Sequence, residues 1–345
     1  MNEVGGKRAF RPGVWLAAAV VALVLACWSQ SARAQQRAQD AANLETIQIR
    51  PNVYMLAGAG ANITVHIGPE GVILVDTGSA QMADAALGAI QRLTPKKIRY
   101  IINTGADVDH VGGNEKMSKA GLTLFPYNGG GGFGIGDAVA NSGAAAILAH
   151  DNVSQRMSAP TGQQSPYPTA ATPTETFTGH GKSLYLNDDG IQVIYQPAAH
   201  SDADSIVFFR RADVIATGEV FDMTRFPVID TENGGSIQGE IDALNRLVDL
   251  AIPAVPMVWM EARTMLVPAH GRVSDQADLV EYRDMVTIMR DRVQALVKRG
   301  MKLDQIKKEN PTQGYRVRWG SDTGAWTTDK FVEAIYKSLT VKNER

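Results

Sequence analysis

The sequence contains a single cysteine, Cys27, among its 345 residues. One thiol cannot form a disulfide within the chain, so no disulfide framework is expected. The chain also lacks an excess of charge of one sign: it has 34 lysines and arginines and 36 acidic residues, so its formal net charge is -2. Nucleic acid is therefore excluded as the main partner, since phosphate binding needs a concentrated basic surface. The hydrophobic share of 44% instead predicts a globular protein with a substantial core.

A long hydrophobic run is absent as well. The apolar run Val14–Ala26 has about a dozen residues, whereas a helix that spans a membrane needs ~20. The run follows three basic residues, and Ser31–Ala34 then supplies small residues at a cleavage site, which is the order of a secretory signal. We expect residues 1–34 to be removed before Gln35 and the protein to be periplasmic or secreted. Twin arginines are lacking, which favours the general secretory route.

The position of Cys27 leaves one alternative open. Val24–Cys27 loosely resembles a lipoprotein cleavage box, in which case Cys27 would carry a lipid anchor. Cleavage after Ala34 would instead remove the only thiol from the mature protein. We favour cleavage after Ala34 because the small-residue site follows so closely.

Short strand patterns and helix patterns follow in a fixed order, which predicts the domain organisation. After an alanine-rich linker at 35–46, strand-like runs and a helix fill the segment from Val53 to Ile102. A second strand-rich half extends from Ser183 to Thr217, followed by a helix and the strand Met265–Val267. This order is compatible with two similar halves that pack sheet against sheet. We therefore predict a main domain at 47–275 and a helical C-terminal extension at 276–345.

The extension contains one long amphipathic helix. Its apolar residues repeat at intervals of three and four between Leu279 and Leu296, and Ser274 or Asp275 can cap its start. We expect this stripe to pack on the main domain. An oligomer interface is a second use that the pattern allows.

Three of the six histidines share a context that suggests metal binding. His110, His200 and His270 each follow a strand-like run and lie among small residues, and Glu219 has a similar position in Thr217-Gly218-Glu219. Loops at strand ends are places where ligands from distant parts of a sequence converge on a metal. The other histidines lack this context: His66 and His180 are expected to be solvated, and we leave His150 out of the site.

Five ordered motifs resemble the metallo-β-lactamase superfamily over roughly residues 50–275. They are Leu74-Val75-Asp76-Thr77-Gly78, Asn103-Thr104 with Asp109-His110, Ala199-His200-Ser201, Thr217-Gly218-Glu219 and Pro268-Ala269-His270-Gly271. The resemblance implies an α/β fold, a four-layer αββα sandwich with two metal ions, usually zinc, at one edge of the sheets. It also implies metal ligands at Asp109, His110 and His270 for one ion, and at His200 for the other. Glu219 matches a bridging carboxylate, and Asp76 matches an aspartate that steadies a ligand histidine.

This sequence departs from the family pattern at three positions. Gly105 and Asp107 stand where the family has the two histidines of a His-x-His motif, and Gly105 has no donor atom. Asp107 can bind metal, but its carboxylate is harder than imidazole and carries charge. Glu219 is one methylene longer than the usual aspartate. One metal position therefore keeps its full set of ligands, while the other is depleted.

Two interpretations of the site remain open at this point. In the first, one zinc binds Asp109, His110 and His270, with Glu219, and a catalytic position stays open for water. Asp107 or His200 would then orient or deprotonate that water, and Asp109 would count among the catalytic residues. In the second, Asp107 and Glu219 form oxygen-rich sites that suit iron or manganese.

The sequence therefore predicts a metal-dependent hydrolase that acts on a small molecule at a carbonyl, ester or amide bond. β-Lactams, lactones and thioesters are the substrate classes that the resemblance implies. The alternative is a periplasmic binding or accessory protein that keeps the fold without turnover. Its long helical extension would then contact a partner.

Overall fold

Two sheets lie at the centre of the structure, a computed structural model that describes residues 44–123, 143–158, 164–254 and 263–340. The strands of the first sheet follow one another in chain order: β1 Glu45–Arg50, β2 Val53–Ala57, β3 Ile63–Gly68, β4 Gly71–Val75, β5 Ile98–Ile102, β6 Ala146–His150 and β7 Glu175–Phe177. The second sheet has the order β12-β11-β10-β9-β8, in which the strands are β8 Gly181–Leu186, β9 Asp189–Gln196, β10 Asp204–Phe209, β11 Val214–Ala216 and β12 Met265–Val267. The predicted signal peptide, including Cys27, lies outside the described residues, and the last two residues of the predicted linker, 45 and 46, belong to β1.

Strand direction decides where the loops of the first sheet meet. Strands β1 to β4 are antiparallel neighbours, whereas β4 to β7 run parallel. In the second sheet, β11 and β12 are parallel. Because parallel strands end at the same edge of a sheet, the loops after β4, β5, β11 and β12 are the ones that can supply a shared site.

The helices fall into two groups along the chain. Four follow strands of the first sheet: α1 Ala83–Leu93, α2 Val108–Val111, α3 Asn114–Ala120 and α4 Asp151–Met157. The second group is α5 Ile237–Leu250, α6 Gln276–Lys298, α7 Leu303–Lys308, α8 Arg316–Trp319 and α9 Thr328–Thr340. Within the described ranges, no helix combines the length and the apolar character needed to cross a membrane.

The alternation of side chains along β4 separates two of the apolar layers. Ile73 and Val75 face the second sheet, where they share a cluster with buried residues such as Val207 of β10. Val72 and Leu74 point the other way and pack with residues of α1 such as Ile90. A strand that is buried on both faces is continuously apolar, which explains the run Val72–Val75.

The second sheet is covered in the same way on its outer face. Ile206 of β10 and Ile215 of β11 belong to one buried cluster with Leu244 of α5 and Tyr282 of α6. Helices therefore cover both outer faces of the paired sheets, and the predicted αββα sandwich with C-terminal helices is confirmed.

The long helix α6 follows its predicted pattern. Its apolar stripe from Leu279 to Leu296 is buried in the cluster that covers the second sheet. Asp275, one of the two predicted caps, accepts hydrogen bonds from the backbone N–H of Ala277 at 3.0 Å and of Asp278 at 3.3 Å. Because the stripe is covered within the chain, an oligomer interface on this helix would have to use its polar face.

The expectation for His66 is wrong, because its side chain is fully buried rather than solvated. His66 lies in the middle of the first sheet on β3, and its ring packs against Phe209 with ring centroids 4.9 Å apart. Its Nε2 atom lies 2.9 Å from the Nδ2 atom of Asn52 and 3.8 Å from a carboxylate oxygen of Asp189. Burial lowers the pKa of His66, and the Asp189 charge opposes this shift only in part. The alternating pattern of β3 could not reveal that a second sheet covers this face.

Candidate metal centre

Four chain segments bring polar side chains to one edge of the sandwich. Asp76 directly follows β4, and Asp109 and His110 lie on α2 after the loop that leaves β5. Glu219 lies in a short 3₁₀ turn after β11, and His270 follows β12. The two sheets therefore supply the two sides of this edge.

A pair of glycines allows α2 to approach the loop after β4. A Cβ atom on Gly112 would lie 2.4 Å from the backbone nitrogen of Ala80, and a Cβ atom on Gly113 would lie 2.4 Å from the carbonyl oxygen of Thr77. Side chains are excluded at both positions by these distances. The close approach lets the backbone N–H of Thr77 donate to the carbonyl oxygen of His110 at 2.8 Å. The Val-Gly-Gly-Asn part of the motif thus fixes the backbone that carries His110.

Four side chains converge at this edge. Asp109, His110, Glu219 and His270 each offer one donor atom, and all four atoms lie within 4.8 Å of one another. The Nε2 atom of His110 lies 3.1 Å from the Oε1 atom of Glu219, and the Nε2 atom of His270 lies 3.2 Å from that same oxygen. His270 Nε2 also lies 3.3 Å from the Oδ2 atom of Asp109. We call these four residues the metal cluster.

The spacing of these donors fits a divalent cation. Zinc is typically bound at about 2.0–2.2 Å by nitrogen and carboxylate oxygen, and ligands of a tetrahedral ion at that distance lie roughly 3.3 Å apart. Three of the six separations between the donors, at 3.1, 3.2 and 3.3 Å, match this value, and the other three stay within 4.8 Å. Two imidazoles and two carboxylates are ligands that zinc, iron and manganese all accept, so these donors could hold a divalent cation without selecting the element.

Asp76 holds His110 from the side opposite the metal cluster. The Nδ1–H group of His110 donates to the Oδ2 atom of Asp76 at 2.8 Å, which leaves Nε2 free to face Glu219. Asp76 also accepts the backbone N–H of Thr104 at 2.8 Å and its hydroxyl at 2.6 Å. The φ of 60° at Asp76 is unusual for a residue other than glycine, and these three hydrogen bonds offset its strain. A carboxylate behind a ligand histidine fixes the tautomer and orientation that a metal needs.

The histidines and carboxylates of the metal cluster shift one another's pKa values toward their charged forms. Burial alone would lower the pKa of His110, but the carboxylates of Asp76 and Glu219 raise it well above its ordinary value. For His270, burial likewise acts to lower the pKa, while Asp109 and Glu219 raise it to about 9. Burial acts to raise the pKa of Glu219, yet hydrogen bonds from the two histidines hold it well below its usual range. The carboxylates therefore stay ionised and available as ligands.

His200 and Asp107 form a separate pair beside the metal cluster. The Nε2 atom of His200 lies 3.4 Å from the Oδ2 atom of Asp107, while its Nδ1–H group donates to the carbonyl oxygen of Val228 at 2.9 Å. Gly105 adds no donor, and a Cβ atom there would have only Asp107 Oδ2 at 3.4 Å and Asp204 Oδ1 at 3.8 Å nearby. His200, predicted as both a metal ligand and a catalytic residue, thus faces one carboxylate across the gap that the missing histidine leaves.

Several neighbours of the site escaped the sequence analysis. The Nδ2 atom of Asn62 donates to the carbonyl oxygens of Pro268 and Gly271, at 2.9 and 3.0 Å, and so fixes the loop that carries His270. The side chain of Arg225 donates to Asp222 at 2.7 Å and places a second nitrogen 3.7 Å from the Oε2 atom of Glu219. Asn62 precedes β3 and Arg225 lies in a loop well after β11, so neither position carried a sequence signal that reveals its partner.

Two buried acids behind His200 were missed as well. Asp204 accepts the backbone N–H of Ser201 at 2.6 Å and thereby shapes the loop that carries His200. Burial raises the pKa of Asp204 to about 7. Glu240 on α5 is also fully buried, and burial and the charge of Asp204 raise its pKa well above its ordinary value.

An αββα sandwich with histidines and carboxylates at one edge of the sheets is a hydrolase type of fold with a possible metal-binding cluster. The family model described as the metallo-β-lactamase superfamily matches residues 57–257. The chain therefore belongs to that superfamily. A search of curated proteins found no match.

Solved structures agree on the fold. A stereoselective, inverting sec-alkylsulfatase from Pseudomonas sp. aligns with a TM-score of 0.62 at 15% identity, covering 88% of this chain and 52% of the sulfatase. The chain thus spans about half the length of that enzyme. A metallo-β-lactamase from Pontibacter korlensis aligns with a TM-score of 0.51 at 16% identity, covering 71% of this chain and 99% of the lactamase. At these identities the likeness shows the fold alone.

Proposed function

We propose that the protein is a zinc-dependent hydrolase that cleaves a carbonyl, ester or amide type of bond with one metal ion per chain. The observation that supports this proposal most is that donor atoms of Asp109, His110, Glu219 and His270 lie within 4.8 Å of one another, with three of their separations at 3.1–3.3 Å. A zinc ion bound there would polarise a carbonyl oxygen and lower the pKa of a water molecule. β-Lactams, lactones and thioesters are the classes that the superfamily suggests as substrates.

The pair of His200 and Asp107 supplies proton transfer in this proposal. Burial would lower the pKa of His200, but its hydrogen bond with Asp107 raises the pKa well above the ordinary value, so the Nε2 atom holds a proton. Asp107 Oδ2 takes up the proton that a nucleophilic water releases, and His200 Nε2 returns one to the leaving group. Asp107 is suited to this exchange because its side chain is 41% exposed, while His200 is almost fully buried.

The test is hydrolysis of a chromogenic panel that contains a carboxylic ester, a thioester, a lactone and a β-lactam. We expect turnover of at least one substrate with zinc and loss of turnover after chelation. Activity of His270→Ala should fall by roughly 100-fold or more, because even the partners of metal ligands are typically worth about 10–100-fold. The matched control is His180→Ala, because His180 is an exposed histidine outside the site.

Two outcomes would overturn this proposal in different ways. A protein that binds zinc through the metal cluster but hydrolyses nothing in the panel would favour a binding or accessory role. Iron or manganese at two equivalents per chain, with a visible absorption band, would favour an oxygen-rich redox site instead.

We also propose that the protein is exported. The support is the sequence order of basic residues, the apolar run Val14–Ala26 and the small residues Ser31–Ala34. A mature protein whose N-terminal sequence begins at Gln35 supports export by cleavage. A lipidated N-terminal Cys27 would show that the lipoprotein box is used.

A further inference from the structure

A cavity of about 410 Å³ opens beside the pair of Asp107 and His200. Small-molecule sites in proteins typically measure roughly 300–1,000 Å³, so this cavity can hold a substrate-sized ligand. Its floor is the segment from Val228 to Glu232, and its far wall comes from the C-terminal extension. Asp107 connects this cavity to the metal cluster, because it lines the cavity and directly precedes α2, the helix that carries Asp109 and His110.

The extension contributes a wall of mixed chemistry. Trp326 and Ala334 give it an apolar part that continues across Val228 and Ile229 on the floor. Lys330 and Lys337 of α9 also line the cavity. The extension therefore adds to the site a surface that the sandwich itself lacks.

The two lysines differ in their partners, because Lys337 is paired with a carboxylate and Lys330, among the residues that the structure describes, is not. The Nζ atom of Lys337 lies 3.1 Å from the Oε1 atom of Glu333, and the Nζ atom of Lys307 lies 3.3 Å from the Oε2 atom of the same carboxylate. Lys330 donates to the carbonyl oxygen of Ala325 at 2.7 Å, which is a neutral acceptor. The wall therefore presents two ammonium groups, of Lys330 and Lys337, and one carboxylate, of Glu333, to the cavity, which leaves it with a net positive charge.

The acids on the opposite side are arranged differently. Asp230 accepts two backbone N–H groups, of Glu232 and Asn233, and the side-chain amide of Asn233. Asp107 is paired with His200. Glu232 remains as an exposed carboxylate on the rim. A negatively charged group in the cavity is therefore stabilised where it lies close to α9 and destabilised where it lies close to the floor.

We propose that the C-terminal extension selects the substrate: the cavity holds an acyl chain that ends in a carboxylate, and Lys330 binds that carboxylate away from the scissile bond. This inference rests on the proposed hydrolase function and narrows it to substrates with a remote negative charge. A carboxylate on Lys330 gains a charge-assisted hydrogen bond. Trp326 and Ile229 contact the methylene groups between the two ends.

The first test compares two esters of equal chain length, mono(4-nitrophenyl) glutarate and 4-nitrophenyl pentanoate, which differ in the terminal carboxylate. We expect a lower KM for the glutarate, and Lys330→Ala should raise that KM by about tenfold, as expected for one charge-assisted hydrogen bond. The KM for the pentanoate and both kcat values should change by less than about twofold.

The control variant is Lys96→Ala, because Lys96 is also a lysine that donates to a backbone carbonyl, that of Gly68 at 2.6 Å. It precedes β5, at the end of that strand opposite the site. Equal KM values for the two esters in wild-type protein would overturn the inference. An equal change of both KM values in Lys330→Ala would overturn it as well.

A binding experiment distinguishes failure of this inference from failure of the hydrolase proposal. Titration calorimetry with the monoanilide of glutaric acid, in the presence of a chelator, reports on the cavity without any turnover. Binding that is lost in Lys330→Ala, in a protein that hydrolyses no ester, would refute the hydrolase proposal and retain the carboxylate site. Turnover of both esters without such binding would retain the hydrolase proposal and refute the carboxylate site.

Discussion

Replacing Asp76 with asparagine tests how the fold prepares the metal cluster. The carboxylate of Asp76 accepts three hydrogen bonds: Thr104 N–H at 2.8 Å, Thr104 hydroxyl at 2.6 Å and His110 Nδ1–H at 2.8 Å. An asparagine keeps one acceptor oxygen but removes the charge, and its NH₂ group would compete with one of the other donors. Hydrogen bonds to a buried charged group contribute about 1.5–3 kcal/mol each, so we expect the free energy of unfolding to fall by about 2–4 kcal/mol.

The same substitution should weaken zinc binding. Without Asp76 as acceptor, His110 is free to place its proton on Nε2, the nitrogen that faces the metal cluster. Loss of such a supporting carboxylate typically costs 10–100-fold in metal affinity, which is about 1.4–2.7 kcal/mol. Competition with a chromophoric zinc chelator measures the affinity, and urea unfolding in the metal-free protein measures the stability.

Asp189→Asn is the matched control for this experiment. Asp189 is equally buried and accepts the backbone N–H groups of Arg211 at 2.7 Å and Ala212 at 3.0 Å, away from the metal cluster. It should lose stability while zinc affinity stays unchanged. Zinc affinity in Asp76→Asn that equals the wild-type value, at a comparable loss of stability, would refute the role given to Asp76.

Three further predictions concern the core, the buried histidine and the depleted position. Burial lowers the pKa of His66, so the unfolded state binds the extra proton first, and His66 lowers the stability as the pH drops below about 6.5 by at most ~1.4 kcal/mol per pH unit. The raised pKa values of Asp204 and Glu240 act in the opposite direction, so the expected result is a difference: in urea unfolding of metal-free protein, wild type should lose stability relative to His66→Gln between pH 7 and 5. An identical slope in both proteins would contradict this. Phe331→Ala should cost about 3–5 kcal/mol in the same assay, because the ring is fully buried and stacks on Phe226 at 4.7 Å; a cost under ~1 kcal/mol would mean that α9 does not pack as described. Finally, the double variant Gly105→His, Asp107→His should raise bound zinc from one to two equivalents, because a Cβ atom at 105 meets only ordinary contacts. Zinc content that stays at one equivalent would show that the backbone of this loop differs from that of the family.

The sequence predicted the layers of the fold well, because local patterns determine them. The continuous apolar run of β4 and the stripe of α6 each require burial on the faces that the structure buries. The pattern failed at His66, whose strand alternates although neither of its faces is exposed. Burial of that kind depends on the second sheet, which no local pattern can report.

The site could be predicted only as a set of candidates. The sequence placed His110, Glu219 and His270 at strand ends, and the structure brings their side chains close to Asp109 at one edge. Distances between segments are a property of packing, so the sequence could not show that His200 would pair with Asp107 rather than join the metal cluster. The approach of Arg225 to Glu219 and the cavity wall from α9 likewise depend on how distant segments pack.

Metal analysis of the purified protein after equilibration with zinc tests the central claim most directly. One equivalent of zinc per chain is predicted for the wild-type protein, because the metal cluster is complete while Gly105 and Asp107 leave the other position depleted. Asp109→Ala should retain well under half an equivalent under the same conditions, whereas Asp189→Asn should retain the full amount. A folded wild-type protein that binds no zinc, or an Asp109→Ala variant that binds as much as the wild type, would contradict the assignment of these four residues as the metal site.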